Sequence, residues 1–194
     1  MICIRRARPD DAAAIGAVHV ATWRSTYAGV LPDSYLTGLS TLRHAAGYEQ
    51  AIIERHNSHA VFVAVASGPE APPDGLGQEG SGAVVGIVSG GRARRFGLAQ
   101  AEVETLYLLD DYRDRGIGRR LMRAMSAHLA AVGCRSAMLW VLRDNPSRWF
   151  YQHLGGRPAA REVIRFAGQE MEQLAFVWDP IDSLLAATAP AKDH

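Results

Sequence analysis

The chain has 194 residues, 48% of them hydrophobic and 21% charged, enough apolar material to bury a sizeable core and too much for a disordered chain. Lysine plus arginine number 21 against 20 for aspartate plus glutamate, and a net charge of +1 gives no global field for drawing in nucleic acid or an anionic membrane. No stretch approaches the roughly 18 uninterrupted apolar residues of a membrane span, and Met1 to Arg6 lacks the apolar region of a secretory signal, so a soluble, cytoplasmic protein is expected. Cys3 to Ala7 reads as an opening strand, and Pro9-Asp10-Asp11 as a helix start with an aspartate to cap the free amides. Ile15, Val18 and Thr22 recur at helical spacing, and Leu42, Ala45, Glu49 and Ile52 follow on a helix behind Ser40 or Thr41. The runs Val61 to Ala66 and Val84 to Val88 predict neighbouring strands, separated by a Gly- and Pro-rich surface insertion over 67–82 that is expected to be flexible.

A strand from Glu102 to Leu109 leads through a turn into a helix from Gly118 to Val132, with Leu121, Met125, Leu129 and Val132 as its buried stripe and Gly133 as its stop. Ala137 to Leu142 is the next strand, and Pro146 opens a short helix that runs to Leu154 and ends at Gly155-Gly156. Arg161 to Phe166 and Met171 to Trp178 close the pattern as a strand pair around Ala167-Gly168, and the alanine-rich tail over 181–194 is expected to fray. The order predicts one mixed α/β (α+β) domain over 1–180 with a mostly antiparallel front half.

Two residue types exclude whole chemistries. Lys192 is the only lysine, which removes both a Walker phosphate loop and a pyridoxal Schiff base. Cys3 and Cys134 have neither disulfide-scaffold numbers nor zinc spacing, and no histidine pair forms a zinc helix, so inert core thiols and no catalytic metal are expected.

The segment most informative about chemistry is Glu104 to Leu121. There a strand runs into a turn whose glycines, Gly116 and Gly118, open a helix, so that several backbone amides and the helix dipole converge on an anion. A dinucleotide fingerprint would need a third glycine where Leu121 stands. The run Arg113-Asp114-Arg115-Gly116-Ile117-Gly118 resembles the Arg/Gln-x-x-Gly-x-Gly/Ala signature of the GNAT superfamily of acyl-CoA-dependent N-acetyltransferases. Asn145 followed by Phe150-Tyr151 and Gly155-Gly156 resembles that family's second block, and Trp23-Arg24-x-x-Tyr27-x-Gly29 resembles the opening of many bacterial members.

The resemblance implies a GNAT fold, a single central mixed sheet of about seven strands flanked by about four or five helices. It implies transfer of an acetyl group from acetyl-CoA to a primary amine of a small molecule or peptide, through a direct ternary complex. A non-catalytic acyl-CoA-binding module and an acyltransferase for a longer acyl chain are the competing readings. By the same resemblance, backbone groups of Leu106, Tyr107 and Leu108 hold the pantetheine arm, and amides of Arg113, Asp114, Arg115, Gly116, Ile117, Gly118 and Arg119 hold the pyrophosphate. Asn145 bonds the pantetheine or a water beside it, Tyr151 is the general acid, and Trp23, Arg24, Tyr27 and Tyr35 belong to the acceptor end. An alkylammonium must lose a proton to attack, and Glu102 or Glu104 is the candidate base. Two apart on a strand, they share a face, which also carries Leu106 and Leu108 unless a bulge changes the parity. Arg92, Arg94 and Arg95 read as a solvated loop, the amine acceptor is the only partner expected besides acetyl-CoA, and a homodimer through the last strands is compatible with the family.

Overall fold

In a computed structural model describing residues 1–72, 82–95 and 97–190, the strands are β1 (Ile2–Arg6), β2 (Ala60–Ala66), β3 (Ala83–Arg92), β4 (Ala101–Leu108), β5 (Ala137–Leu142), β6 (Arg157–Phe166) and β7 (Gln169–Trp178). The helices are α1 (Ala12–Thr26), α2 (Asp33–Thr37), α3 (Thr41–Glu54), α4 (Ile117–Ala131), α5 (Arg148–His153) and α6 (Asp182–Ala187). Residues 73–81 of the expected insertion and 191–194 of the expected tail lie outside the described residues. One seven-stranded sheet runs in the order β1-β2-β3-β4-β5-β7-β6. Its strands pair antiparallel except β4 with β5, which are parallel and meet only at Ala101 with Ala137 and Glu102 with Met138. Beyond Glu102 the two strands part, and the sheet opens into a cleft.

Burial explains the sequence patterns. β3 is covered on both faces, from Ala83 to Gly91, which is why Val84 to Val88 shows no alternation. On one face α4 packs Leu121, Met122, Met125 and Leu129, all fully buried and each stabilising the fold by about 1.5–3 kcal/mol relative to exposure. On the other, α1 and α3 bring Ile15, Val18, Tyr48 and Ile52 onto Val63 and Ile87. A third cluster joins Tyr27, Leu31 and Leu36 to Met171 of β7, and so seats the segment from the end of α1 through α2 over the β6–β7 hairpin.

Local expectations are corrected at several points. Asp11 does not cap α1: its carboxylate takes the Arg5 guanidinium at 2.7 and 2.8 Å and the Arg8 amide at 2.7 Å. Ser40 caps α3, accepting from the Arg43 amide at 3.3 Å, while Leu42 is 82% exposed because the buried stripe runs through Tyr48 and Ile52. Cys134 is buried but Cys3 is exposed, on the terminal strand of the sheet. β6 begins at Arg157, earlier than the apolar pattern suggests, because backbone pairing with β7 extends it. The tail does not fray at once: α6 packs on α4 and buries Leu184 completely.

Candidate active site

The cleft between β4 and β5 is a cavity of about 1080 Å³. Its two walls follow from strand geometry. The Leu109 amide donates to Val85 at 3.0 Å, and Tyr107 stands opposite Ile87 and Thr105 opposite Ser89, so alternate residues of β4 turn their hydrogen-bonding groups toward β3. The N–H and C=O groups of Leu106 and Leu108 therefore face the cleft, where β5 has left them. At the far end Gly116 has φ +72° and caps α4, a left-handed conformation that glycine adopts without strain. Arg113 donates its amide to Asp110 at 3.0 Å and Arg120 to Gly116 at 3.2 Å, and between them the amides of Asp114 to Arg119 have no partner among the described residues. This is an open strand edge leading to a helix N-terminus, whose unpartnered amides can receive an anion.

The turn before α4 is braced from several sides. Arg113 reaches Asp110 at 2.8 Å and the Thr26 hydroxyl at 3.0 Å, and the Ser25 hydroxyl donates to Asp110. Arg115 pairs with Glu70 at 3.3 Å, the Tyr112 hydroxyl donates to the Glu70 carbonyl at 2.6 Å, and Arg119 donates to the Ala189 carbonyl at 2.9 Å. The side chain of Ile117 is buried in the core.

Tyr151 enters the cleft from α5. That helix is pinned where it ends, because Trp178 Nε1 donates to the Leu154 carbonyl at 2.8 Å and a Cβ on Gly156 would stand 2.8 Å from the Trp178 ring. Burial, reinforced by Tyr27, raises the Tyr151 hydroxyl well above the ordinary tyrosine range, so it stays protonated. Asn145 is engaged within the chain: Nδ2 donates to the Tyr27 hydroxyl at 2.9 Å and Oδ1 accepts the Ser147 amide at 2.8 Å. Asn145 itself lines the cavity, as does Tyr27 beside Trp23 and Tyr107. Tyr35 packs against Phe166 and Trp23 behind that wall. Arg24 is not at the cleft, since its guanidinium donates to the carbonyls of Leu36, Thr37 and Leu39 at the end of α2.

The bulge decides between the glutamates. Ser89 faces Thr105 and Gly90 faces Val103, so Glu104 is the unpaired extra residue of β4. Val103, Leu106 and Leu108 then join the core on the α4 side while Tyr107 joins the α1–α3 side, and the parity expected from uninterrupted alternation is lost. Glu104 lines the cavity and Glu102 does not. His59 Nε2 stands 3.1 Å from Glu104 Oε2 and Arg94 Nη2 stands 3.3 Å from Oε1. Burial pushes the Glu104 carboxyl up, but the His59 hydrogen bond and the charges of His59 and Arg94 hold it below its ordinary value. Burial and the charge of Glu104 raise Glu102 instead. His59 was not among the sequence candidates, and its only local signal is its place just before β2. Arg94 and Arg95 are 72% and 76% exposed, as expected of a solvated basic cluster, Arg95 standing 3.4 Å from Glu162, and the exposed Arg92 donates to the Val132 carbonyl at 2.6 Å.

The sequence model of the Acetyltransferase (GNAT) family matches residues 35–155, and the chain belongs to that family and is an enzyme. It is 28% identical over 186 residues to the uncharacterized N-acetyltransferase YuaI of Bacillus subtilis (strain 168), across 95% of this chain and 96% of that protein. The PaiA N-acetyltransferase of Thermoplasma acidophilum, solved in complex with coenzyme A, superposes with a TM-score of 0.63 at 19% identity, over 90% of this chain and 98% of that one. The yncA structure from Salmonella typhimurium, solved with its cofactor acetyl-CoA, gives a TM-score of 0.62 at 20% identity over 92% and 93% of the two chains.

Proposed function

We propose that this chain transfers an acetyl group from acetyl-CoA to a primary amine, with both substrates bound together. The observation that carries this reading is the continuity, within one cavity, of the unpaired edge of β4 and the unpartnered amides at the head of α4. Those two features fit the two parts of CoA: an amide-bearing arm that can pair like an added strand, and a pyrophosphate suited to a helix N-terminus. Leu106 and Leu108 hold the arm, and the amides from Asp114 to Arg119 hold the diphosphate. Acetyl-CoA supplies an acyl carbon that gains a bond from the amine nitrogen as its bond to sulfur breaks, leaving CoA as a thiol.

The remaining chemistry is done by this chain. Glu104, ionised across the neutral range, anchors the acceptor ammonium and takes its proton, directly or through water. Tyr151, held protonated by burial, donates from its hydroxyl to the leaving sulfur. The Leu108 N–H, on the open edge, is the donor for the oxygen that becomes negative. Neither cysteine lines the cavity, which supports direct transfer over an acyl-enzyme.

Calorimetry with acetyl-CoA, CoA, ATP and NAD tests this reading, followed by an amine screen read by thiol release. Selective binding of the CoA species with amine-dependent thiol release is expected. Binding without turnover of any amine would favour a sensor, and absence of CoA binding would refute the cradle.

A further inference from the structure

The side of the cleft toward the β6–β7 hairpin is walled by rings. Trp23, in the last turn of α1, has its ring centroid 5.0 Å from Tyr27, 5.7 Å from Phe166 at the end of β6 and 6.4 Å from Tyr107 of β4. All four line the cleft, and Trp140 and Leu142 of β5 line it with them. Trp23, Tyr107, Trp140 and Phe166 are each only partly buried, so the wall leaves open apolar surface that a ligand can cover.

Charge is scarce on this wall. Among the described residues lining the cleft, the carboxylates and guanidiniums are Glu104 and, in the turn before α4 and the first residues of that helix, Arg113, Asp114 and Arg119. Arg94, which pairs with Glu104 at 3.3 Å, does not itself line the cleft. Glu162 and Glu172 do not line it either: Glu162 accepts from Gln173 at 2.5 Å and stands 3.4 Å from Arg95, and Glu172 pairs with Arg143 at 2.8 Å. The side-chain amides that do line it are satisfied within the chain, Gln173 by Glu162 and Asn145 by the Tyr27 hydroxyl. What remains is one carboxylate beside a broad aromatic surface.

We propose that the acyl acceptor is an arylalkylamine, a primary amine with one positive charge and an aromatic body. Its nitrogen sits at Glu104 and its ring lies against Trp23 and Phe166. This assignment rests on the acetyl-transfer reading above and names the acceptor class of that same site. One carboxylate matches one ammonium, and ring faces and edges match an aromatic body. A second ammonium, or a carboxylate, would be carried onto the aromatic wall without a counter-charge and stripped of water there.

The test uses the full chain with acetyl-CoA, reads thiol release, and changes one feature of the acceptor at a time. 2-Phenylethylamine is compared with ethylamine, which lacks the ring, and with phenylalanine, which adds a carboxylate; hexylamine is compared with 1,6-diaminohexane, which adds an ammonium; a short peptide with a free N-terminus completes the panel. Each change is expected to lower kcat/KM at least tenfold, and 2-phenylethylamine is expected to exceed the peptide by the same margin. Phe166→Ser is expected to raise the KM for 2-phenylethylamine at least tenfold and to leave the acetyl-CoA Kd, measured by calorimetry, unchanged. Phe166→Leu, which keeps the strand apolar, is expected to move the KM in the same direction and decides the matter if the serine variant does not fold. Turnover of ethylamine, phenylalanine, the diamine or the peptide as good as that of its comparison amine, or an unchanged KM in the folded variants, overturns this proposal alone. Failure of the unsubstituted chain to bind acetyl-CoA, or binding without turnover of any amine, overturns the underlying reading and this assignment with it.

Discussion

His59 Nε2 lies 3.1 Å from Glu104 Oε2, joining the residue just before β2 to the one residue of β4 that the bulge leaves unpaired. The contact fixes more than position. A carboxyl largely removed from water would ordinarily rise in pKa, and here His59 and Arg94 reverse that tendency. His59 Nδ1 is buried without a hydrogen-bond partner among the described residues, which places the donated hydrogen on Nε2, toward the carboxylate.

Replacing His59 by Leu removes the hydrogen bond and the charge that lower Glu104, so burial dominates and its carboxyl rises. The form that takes the acceptor proton then disappears at a higher pH on acidification, and the acid limb of kcat/KM moves upward. A pH–rate profile of both proteins measures this, and an unmoved limb removes Glu104 from the reaction.

Tyr151→Phe keeps the ring packed between Phe150 and Phe176 and deletes only the hydroxyl. Loss of a positioned proton donor lowers kcat by about 10²-fold or more. Acetyl-CoA affinity measured by calorimetry stays unchanged, and full turnover across the pH range would assign the hydroxyl a packing role.

Gly118→Asp sets a carboxylate at the head of α4, where the unpartnered amides converge. A Cβ there stands 3.4 Å from the Phe150 ring, an ordinary contact, so the fold is retained. Acetyl-CoA is expected to bind at least tenfold more weakly, about 1.4 kcal/mol, while the unliganded Tm changes little. Calorimetry and a melting curve together separate a lost anion site from a lost fold.

His19 is held down at about 3 by burial, to which the charge of His44 adds. The folded chain therefore keeps it neutral while the unfolded chain takes up a proton below the ordinary value of 6.5. Its share of stability is intact above pH ~6.5 and declines as the pH falls toward ~3, amounting to about 2 kcal/mol lost by pH ~5. Denaturant titrations of the native chain and His19→Phe check this: the variant should lose less stability on acidification, and parallel slopes would mean that His19 protonates freely in the fold.

The glycine turn before α4 was legible because its code is local. Gly116 and Gly118 stand within a single turn at a helix start, and the strand before and the amphipathic run after them announce themselves by period alone. Tyr151 was legible for a similar reason, as part of a short helix bounded by Pro146 and Gly155. Arg24 was misplaced because its sequence neighbours Trp23 and Tyr27 do reach the cleft, while its own side chain turns to the end of α2 for carbonyls that only the fold supplies. Leu184 was read as part of a fraying tail because a short alanine-rich stretch gains its helical order from the surface of α4 rather than from its own propensity.

The sequence by itself determined the family, the order of strands and helices, and the glycine turn that opens α4, since each depends on residues a few positions apart. The tertiary structure decided which glutamate faces the cleft, because one unpaired residue in β4 reverses the side-chain alternation that sequence spacing assumes. It also decided that His59 meets Glu104 and that Asn145 meets Tyr27. Those relations join residues from distant parts of the chain, and strand register and helix packing, rather than any local pattern, bring them together.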